Sequence, residues 1–259
     1  MVVSFEKVDS FSDIQNFRNQ YLDGLIEPQE LFLELLCRKA GKYLITINKE
    51  SAGYFMIAEN NLLVEYYIIK KFIDGIDVIF SKIINNFSIE RAYCKSFDHE
   101  MMSCCLGIQK SVKVIGALFR ERRQLNNLSI DELKTRFADM NDFKHISQIN
   151  EEVFEDNDEI KTTIANQSMI IFEYENETAG FGIFQRNIEE RPEFDIGMLV
   201  DKKFRGRGYG KYIINFMAEH CINNGWRPTC GCTIENIASR KSLESAGFIA
   251  KYRMIEFAF

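Results

Sequence analysis

Glu193-Phe-Asp-Ile-Gly-Met-Leu-Val-Asp-Lys-Lys-Phe-Arg-Gly-Arg-Gly-Tyr-Gly-Lys211 is the stretch whose reading decides the fold. The apolar run from Phe194 to Val200 predicts a strand, the glycines beyond it a loop, and the residues after Lys211 an amphipathic helix. Gly206, Gly208 and Gly210 recur at every second position and remove the Cβ atoms that would hold a ligand away from the backbone. Successive N–H groups can then point into one concavity that opens a helix, which favours an anion. Arg205, Arg207 and Lys211 add positive charge at the same place, so the spacing suggests a pyrophosphate. No Gly-Lys-Ser/Thr tripeptide follows, which sets aside a nucleoside-triphosphate loop. The order Arg-x-x-Gly-x-Gly is not the Gly-x-Gly-x-x-Gly of a dinucleotide fold.

The rest of the chain bounds the function. A length of 259 residues suits two domains, and 46% hydrophobic against 27% charged residues is a globular balance. A net charge of −6 argues against a general nucleic-acid binder and agrees with a cationic substrate. No apolar run approaches the ~20 residues that span a bilayer. The opening residues lack a basic-then-apolar leader, so no signal peptide and a cytoplasmic location are expected. Seven cysteines are then read as reduced thiols. Cys230 and Cys232 share a strand face and Cys104-Cys105 are adjacent, but no Cys-x-x-Cys pair with a partner pair occurs, and His99, His145 and His220 are scattered. No metal is expected.

Arg205-Gly-Arg-Gly-Tyr-Gly210 resembles the acyl-CoA pyrophosphate loop of the GNAT N-acetyltransferase superfamily. Met198-Leu-Val-Asp201 resembles the strand that holds pantetheine there. Asn236-Ile-Ala-Ser-Arg-Lys-Ser-Leu-Glu-Ser-Ala-Gly-Phe248 is similar to the family's second signature. The resemblance runs from about Asp131 to Phe259. It implies direct acetyl transfer from acetyl-CoA to a primary amine, with a small-molecule acceptor first and a peptide or protein amine second. The competing reading is a CoA-binding regulatory or interaction protein without turnover. A monomer or homodimer, with no nucleic-acid or membrane partner, is expected.

Taken in order, Ser10–Asp23 reads as a helix capped by Ser12 or Asp13, and Glu27–Cys37 as another with Pro28 near its first position. Strands are expected at Lys42–Ile47, Ser51–Ala58 and Leu62–Ile69, a helix at Phe72–Phe87, a strand at Ile89–Ser96, a short helix at His99–Leu106 and a strand at Ser111–Phe119. Arg120–Asn127 reads as an exposed connection. The plan then repeats: strand Leu133–Ala138, helix Met140–Phe154 capped by Asp139, helix Asp158–Asn166, a hairpin of Ser168–Tyr174 with Thr178–Gln185, the signature strand and loop, a helix to Asn223, strand Thr229–Ile234, the second signature helix and a last strand. The expected class is α+β with a mixed sheet, in two similar domains at residues 1–125 and 128–259. Each would be a mostly antiparallel twisted sheet flanked by helices.

The halves can be laid over each other. Glu50-Ser-Ala-Gly-Tyr54 matches Glu177-Thr-Ala-Gly-Phe181, Lys70-Lys-Phe72 matches Lys202-Lys-Phe204, and Gly107-Ile108 matches Gly247-Phe248. Where the second half continues with the glycine loop, the first has Ile73-Asp-Gly-Ile-Asp-Val78, whose carboxylates would repel a diphosphate. One cofactor site is therefore expected, in the second domain, the first being a degenerate copy. From the resemblance, cofactor contacts fall on Met198, Leu199, Val200, Arg205, Gly206, Arg207, Gly208, Tyr209, Gly210, Lys211, Asn236 and Ser239. The amide of Leu199 or a neighbour would polarise the thioester carbonyl, and Gly197 suggests a bulge or a close ligand approach. Glu193, Asp195 and Glu235 are the candidate bases. The family's acid tyrosine corresponds to Leu243, which leaves that role to Ser239 or a water, or leaves the thiolate to depart without a dedicated acid.

Overall fold

The computed structural model of the chain describes residues 1–125, 132–151 and 153–259. The chain forms two compact units, Met1–Leu118 with Tyr252–Phe259, and Phe119–Lys251. The first contains β1 (Val3–Val8), α1 (Gln15–Gly24), α2 (Leu31–Lys39), β2 (Gly41–Ile47), β3 (Glu50–Ala58), β4 (Leu62–Ile68), α3 (Ile76–Asn86), β5 (Arg91–Lys95), α4 (His99–Ile108) and β6 (Ser111–Phe119). The second contains β7 (Glu121–Arg122), β8 (Lys134–Phe137), α5 (Phe143–Ile149), α6 (Asn157–Ala165), β9 (Met169–Tyr174), β10 (Glu177–Arg186), β11 (Glu193–Val200), α7 (Tyr209–Asn223), β12 (Arg227–Thr233), α8 (Ile237–Ser245) and β13 (Phe248–Ile249). The last strand, β14 (Tyr252–Ala258), belongs to the first unit.

Both units are α+β. The first orders its strands β1-β2-β3-β4-β5-β14-β6 and the second β12-β11-β10-β9-β8. Each has one parallel pair, β4 with β5 and β11 with β12, joined by a 3-10 turn and a helix; the other pairings described within each unit are antiparallel. In the second unit, Ile213, Ile214, Met217, Ala218 and Cys221 recur at helical spacing and bury one side of α7. Gly182 makes room for that helix, since a Cβ there would stand 2.4 Å from Met217 Sδ. The opposite face packs Phe181, Leu199 and Ile183 against Ile146 of α5 and Ile160 and Ile164 of α6. In the first unit, Phe55, Leu63 and Tyr66 pack with Ile79, Phe80 and Ile83 of α3 and with Phe257 of β14.

The repeat seen in the sequence extends to hydrogen bonds. Ile69 N–H reaches Ala52 O at 2.8 Å, and Asp201 N–H reaches Ala179 O at 3.0 Å. Gly53 and Gly180 follow those alanines and leave room for the backbone carbonyls of Tyr67 and Leu199, which would lie 2.0 and 2.3 Å from a Cβ. Lys70–Gly75 and Lys202–Phe204 each open with a 3-10 turn, closed by Phe72 N–H to Ile69 O at 3.0 Å and Phe204 N–H to Asp201 O at 2.8 Å. Lys71 pairs with Glu50, and Lys203 with Glu177 at 3.2 Å. Matching bulges, turns and ion pairs at matching residues make the units two copies of one plan.

Several expectations are corrected. β1 was not foreseen, although Val3 and Phe5 alternate with Ser4 and Glu6. Ser10, not Ser12 or Asp13, caps the first helical segment: Asp13 returns a bond to Ser10 N–H at 3.0 Å over a 3-10 turn, and α1 starts only at Gln15. Glu30 caps α2, so Pro28 lies outside it. The helix expected over Met140–Phe154 is α5 alone. Asn141 N–H bonds Asp139 Oδ1 at 2.7 Å and Asp139 N–H bonds Asp142 Oδ2 at 2.9 Å, a turn that delays the helix until after Asp142; residue 152 lies outside the described residues.

Arg120–Asn127 is exposed at Arg123 and Gln124, as expected, but not at Arg120–Arg122. Glu121–Arg122 pairs with Phe248–Ile249, Arg120 is buried on Cys230 O at 3.0 Å, and Arg122 reaches Glu219 at 2.7 Å; residues 126 and 127 lie outside the described set. The division expected at residues 125–128 differs from that of the compact units, because β14 pairs on both sides within the first unit, with β5 and with β6.

A substitution tests the packing of α7 on the sheet. Gly182→Ala lowers the unfolding free energy by about 1–3 kcal/mol through overpacking. Met217→Ala in the same chain removes the opposing atoms, so a double-mutant cycle in urea gives a coupling well above the ~0.5 kcal/mol expected of independent sites. Additive costs would show that the helix does not press on Gly182.

Candidate active site

Asp201 ends β11 by accepting Lys203 N–H at 3.0 Å, which winds Lys202–Phe204 into a short turn and sends the chain out towards α7. Gly206 has φ +79° and Gly208 φ +82°, the left-handed region that costs an L side chain about 1–2 kcal/mol. A Cβ at either would meet nothing within 4 Å, so both glycines serve backbone shape beside an open space. Among the described residues, no backbone N–H from Gly206 to Lys211 has a protein acceptor; the first helical donor is Tyr212, to Gly208 O at 3.3 Å. Apart from buried Tyr209, the residues that carry these donors are exposed or half-buried, and they stand at the positive end of a 15-residue helix.

Gly210 has a different job. A Cβ there would lie 2.9 Å from Ser242 Oγ and 3.1 Å from Met198 Cε. Its absence lets the first turn of α7 pack on α8 and β11 together, which brings both sequence signatures to one place.

The strand carries a second set of free backbone groups. Asn187 N–H bonds Glu193 O at 3.0 Å and Asp201 N–H bonds Ala179 O at 3.0 Å, at the two ends of a β10–β11 ladder with no register shift. Alternation then turns the polar groups of Glu193, Asp195, Gly197, Leu199 and Asp201 to β10, and those of Ile196, Met198 and Val200 to the β12 side. The parallel ladder to β12 covers only Glu193–Asp195 opposite Arg227–Thr229, although β11 runs on to Val200 and β12 to Thr233. Past Asp195 and Thr229 the two strands part, and Met198 and Val200 N–H face the gap. Leu199 N–H is not in the gap; its neighbours are. Gly197 marks no bulge in the β10–β11 ladder, and Ile183 Cγ1 stands 3.1 Å from its missing Cβ.

The other expected residues fall into two groups. Glu193 and Asp195 are half-buried on one face of β11, at the last rungs before the gap, with Asp195 Oδ2 buried. Glu235 is exposed and Ser239 half-buried where β12 gives way to α8. Asn236 is engaged as the N-cap, accepting Ser239 N–H at 3.0 Å. Leu243 is 2% exposed and belongs to the core, so that position presents nothing to the gap. Tyr209 is buried against Tyr174 and Phe204, and Arg207 lies 5.3 Å from the Phe204 ring centroid.

Arg205 is less available than its charge suggests. Its Nε donates to Val200 O at 3.0 Å, and its guanidinium pairs with Glu151, which also holds Lys202 at 3.0 Å. The hydrogen bonds from Arg205 and Lys202 hold the exposed Glu151 carboxyl below the usual carboxylate range. Arg205 thus braces the loop onto the strand end. Glu151 was not foreseen, since it belongs to no motif and is remote in sequence from its partners.

The corresponding turn of the first unit is closed. Lys70–Gly75 continues as a 3-10 turn into α3, Ile76 N–H bonds Ile73 O, and Gly75 has φ −101°. Phe72 N–H is bonded to Ile69 O at 3.0 Å as well, and no residue there is left-handed.

Comparison with known proteins follows these boundaries. Residues 10–122 match a family model described as an acetyltransferase (GNAT) domain, and residues 133–248 match the acetyltransferase (GNAT) family model. No curated protein matches the chain. Among solved structures, an acetyltransferase from the GNAT family from Colwellia psychrerythraea superposes with a TM-score of 0.91 at 20% identity, over 99% of both chains. A tandem GNAT protein from the clavulanic acid biosynthesis pathway gives 0.59 at 8% identity, covering 100% of this chain and 98% of that one. A GCN5-related N-acetyltransferase from Sphaerobacter thermophilus gives 0.57 at 12% identity, covering 83% and 79%. At these identities the likeness is one of fold. No helix among the described residues is long and apolar enough to cross a membrane.

The division of labour among the glycines is measurable without a ligand. Gly210→Leu drives a side chain into Ser242 and lowers the unfolding free energy by about 1–3 kcal/mol. Gly208→Asn, which tolerates a left-handed backbone, changes it by less than about 1 kcal/mol. Equal losses in urea denaturation would contradict the assignment of one glycine to packing and the other to loop shape.

Proposed function

Because the chain belongs to the GNAT acetyltransferase family and carries two of its domains in tandem, we propose that the second domain moves an acetyl group from acetyl-CoA directly to the primary amine of a small molecule. The observation that carries this is the run of unbonded N–H groups from Gly206 to Lys211, set beside a strand whose Met198 and Val200 amides face an open gap. Uncharged donors fixed in an arc suit a diphosphate, and the two left-handed glycines leave space where it would lie. The residues present therefore fit CoA: Gly206–Lys211 hold the pyrophosphate and the open edge of Met198–Val200 holds the pantetheine amides. Bound acetyl-CoA supplies the acetyl group as a thioester.

The chain's own residues then have separable tasks. The Met198 or Val200 N–H is a donor for the thioester carbonyl, an interaction worth roughly 3 kcal/mol where such donors are deleted in other enzymes. A lysine-like amine, with an unperturbed pKa of ~10.4, needs a proton acceptor before attack. Asp195 is the strongest candidate, being half-buried at the mouth of the gap; Glu193 on the same face and Glu235 across the gap are the alternatives. With Leu243 in the core, Ser239 or a water hydrogen-bonded to it protonates the departing thiolate. The first domain contributes no CoA site, because its equivalent turn runs straight into α3 with no left-handed glycine and carries Asp74 and Asp77.

Thermal unfolding with CoA distinguishes the two turns. At 100 times its dissociation constant a ligand stabilises a fold by about 2.7 kcal/mol. Gly208→Val removes that shift. Gly75→Val retains it, since a Cβ at Gly75 meets the flexible Met1 side chain at 3.2 Å and Ile79 Cδ1 at an ordinary 3.6 Å. Loss of the shift in both variants would refute the single site. Acetyl-CoA turnover against a panel of small amines tests the reaction, and binding without turnover of any amine would overturn the catalytic reading.

A further inference from the structure

In the first unit, as in the second, the parallel ladder is short. Leu62 and Leu63 pair with Arg91 and Ala92, after which β4 runs on to Ile68 and β5 to Lys95. Glu65 and Lys95, past that ladder on β4 and β5, belong to one buried side-chain network. Glu65, fully buried on β4, stands at the position that Gly197 holds in the second unit, three residues before the conserved pairing of Ile68 with Gly53 and of Val200 with Gly180. Glu65 accepts from Arg18 Nε at 3.1 Å and Nη2 at 3.0 Å, from Gln29 Nε2 at 2.6 Å and from Tyr54 OH at 2.8 Å. Arg18 also pairs with buried Glu34. Burial alone would raise the Glu65 carboxyl; the Arg18 guanidinium and, after it, Lys95 outweigh burial and hold it below the usual range.

Lys95, the last residue of β5, is 1% exposed and turns its ammonium into this cluster. Its Nζ donates to Tyr21 OH at 2.7 Å and to Gln29 Oε1 at 2.8 Å, and lies 3.8 Å from Asp98 Oδ2. The Tyr21 hydroxyl passes its own proton to Asp98 Oδ2 at 2.6 Å, so the oxygen facing Lys95 is an acceptor. The ring centroids of Tyr21 and Phe97 lie 5.0 and 6.0 Å from the ammonium. Two oxygen acceptors for the ammonium, a carboxylate behind them and aromatic faces beside them make up the environment in which organic cations are held.

We propose that the pocket formed by Tyr21, Gln29, Phe97 and Asp98 in the first unit is a primary-ammonium site whose resident ligand is the chain's own Lys95. A free amine is excluded from the native first domain because the site is already filled. The inference goes beyond the acetyl-transfer reading and does not depend on it, since neither CoA nor the second domain enters.

Truncation to the Cβ exposes the site. Lys95→Ala deletes the equivalent of n-propylamine and leaves Asp98 without its cation, which lowers the Tm of the full chain by roughly 10 °C. Millimolar n-propylammonium then restores several degrees in a saturable manner, whereas n-propanol and sodium chloride at equal concentration do not, and the native chain does not respond. Lys95→Met, which fills the space with an apolar chain, folds and is insensitive to the amine. If Lys95→Ala does not fold unaided, its refolding yield with and without n-propylammonium is the readout, with rescue supporting the site. A Lys95→Ala chain stabilised equally by propylammonium and by sodium, or one that fails to refold with the amine while Lys95→Met folds, would overturn the proposal.

Discussion

A parallel ladder that ends too soon governs this molecule. β11 and β12 pair over Glu193–Asp195 and Arg227–Thr229 and then part, although both strands continue. Backbone N–H and C=O groups are obligatory hydrogen-bonding groups, and leaving them unpaired is costly unless solvent or a ligand takes them. The even-numbered residues of the outer half of β11 therefore present donors and acceptors to a gap instead of to a neighbouring strand. The glycine loop adds a second row of unpaired donors at the head of α7. Gly210 then locks the two rows together by letting α7, α8 and Met198 meet. An extended ligand with amides along its stem and a diphosphate at one end is complementary to that pair of edges.

The first unit follows the same plan with a different turn and a buried side-chain network on β4. The bulge at Ala52–Gly53, the Lys70–Phe72 turn and the Glu50–Lys71 pair reproduce Ala179–Gly180, Lys202–Phe204 and Glu177–Lys203. Two local differences separate the copies. The turn after Lys-Lys-Phe continues directly into helix in the first unit and passes through left-handed glycines in the second. At the position of Gly197 the first unit carries a buried glutamate, around which Arg18, Gln29, Tyr54 and Lys95 are arranged. Buried ion pairs give little net stability over apolar packing, and breaking one is expensive. Such a network is better understood as fixing one arrangement of α1 and α2 over β4 than as the source of the unit's stability.

Much of this was legible in the chain. Alternation, glycine spacing and the Lys-Lys-Phe repeat located β11, α7, the loop and the tandem plan, because each depends on residues close in sequence. What was not legible depended on partners far away. Arg120 and Arg122 look like a solvated run, yet their donors end on Cys230 O, Glu219, Asn215 and Ala246 O. The last strand looks like the end of the second domain, yet its register is set by β5 and β6. Gly197 reads as a bulge or a close ligand approach, and only its unshifted pairing with Ile183 across the strands sets the bulge aside. Glu151 and the Glu65–Lys95 network carry no motif, since a charge pair leaves no mark on local periodicity.

The central claim is that bare amides between Gly206 and Lys211, and not those of the first unit's turn, receive the CoA diphosphate. Backbone amide chemical shifts of the full chain during titration with CoA report this most directly. The account predicts downfield movement of the Gly206, Gly208 and Lys211 resonances, with Met198 and Val200 following and Ile73, Gly75 and Val78 unmoved. Movement confined to Ile73–Val78, or none at Gly206–Lys211 while CoA is bound, would contradict it.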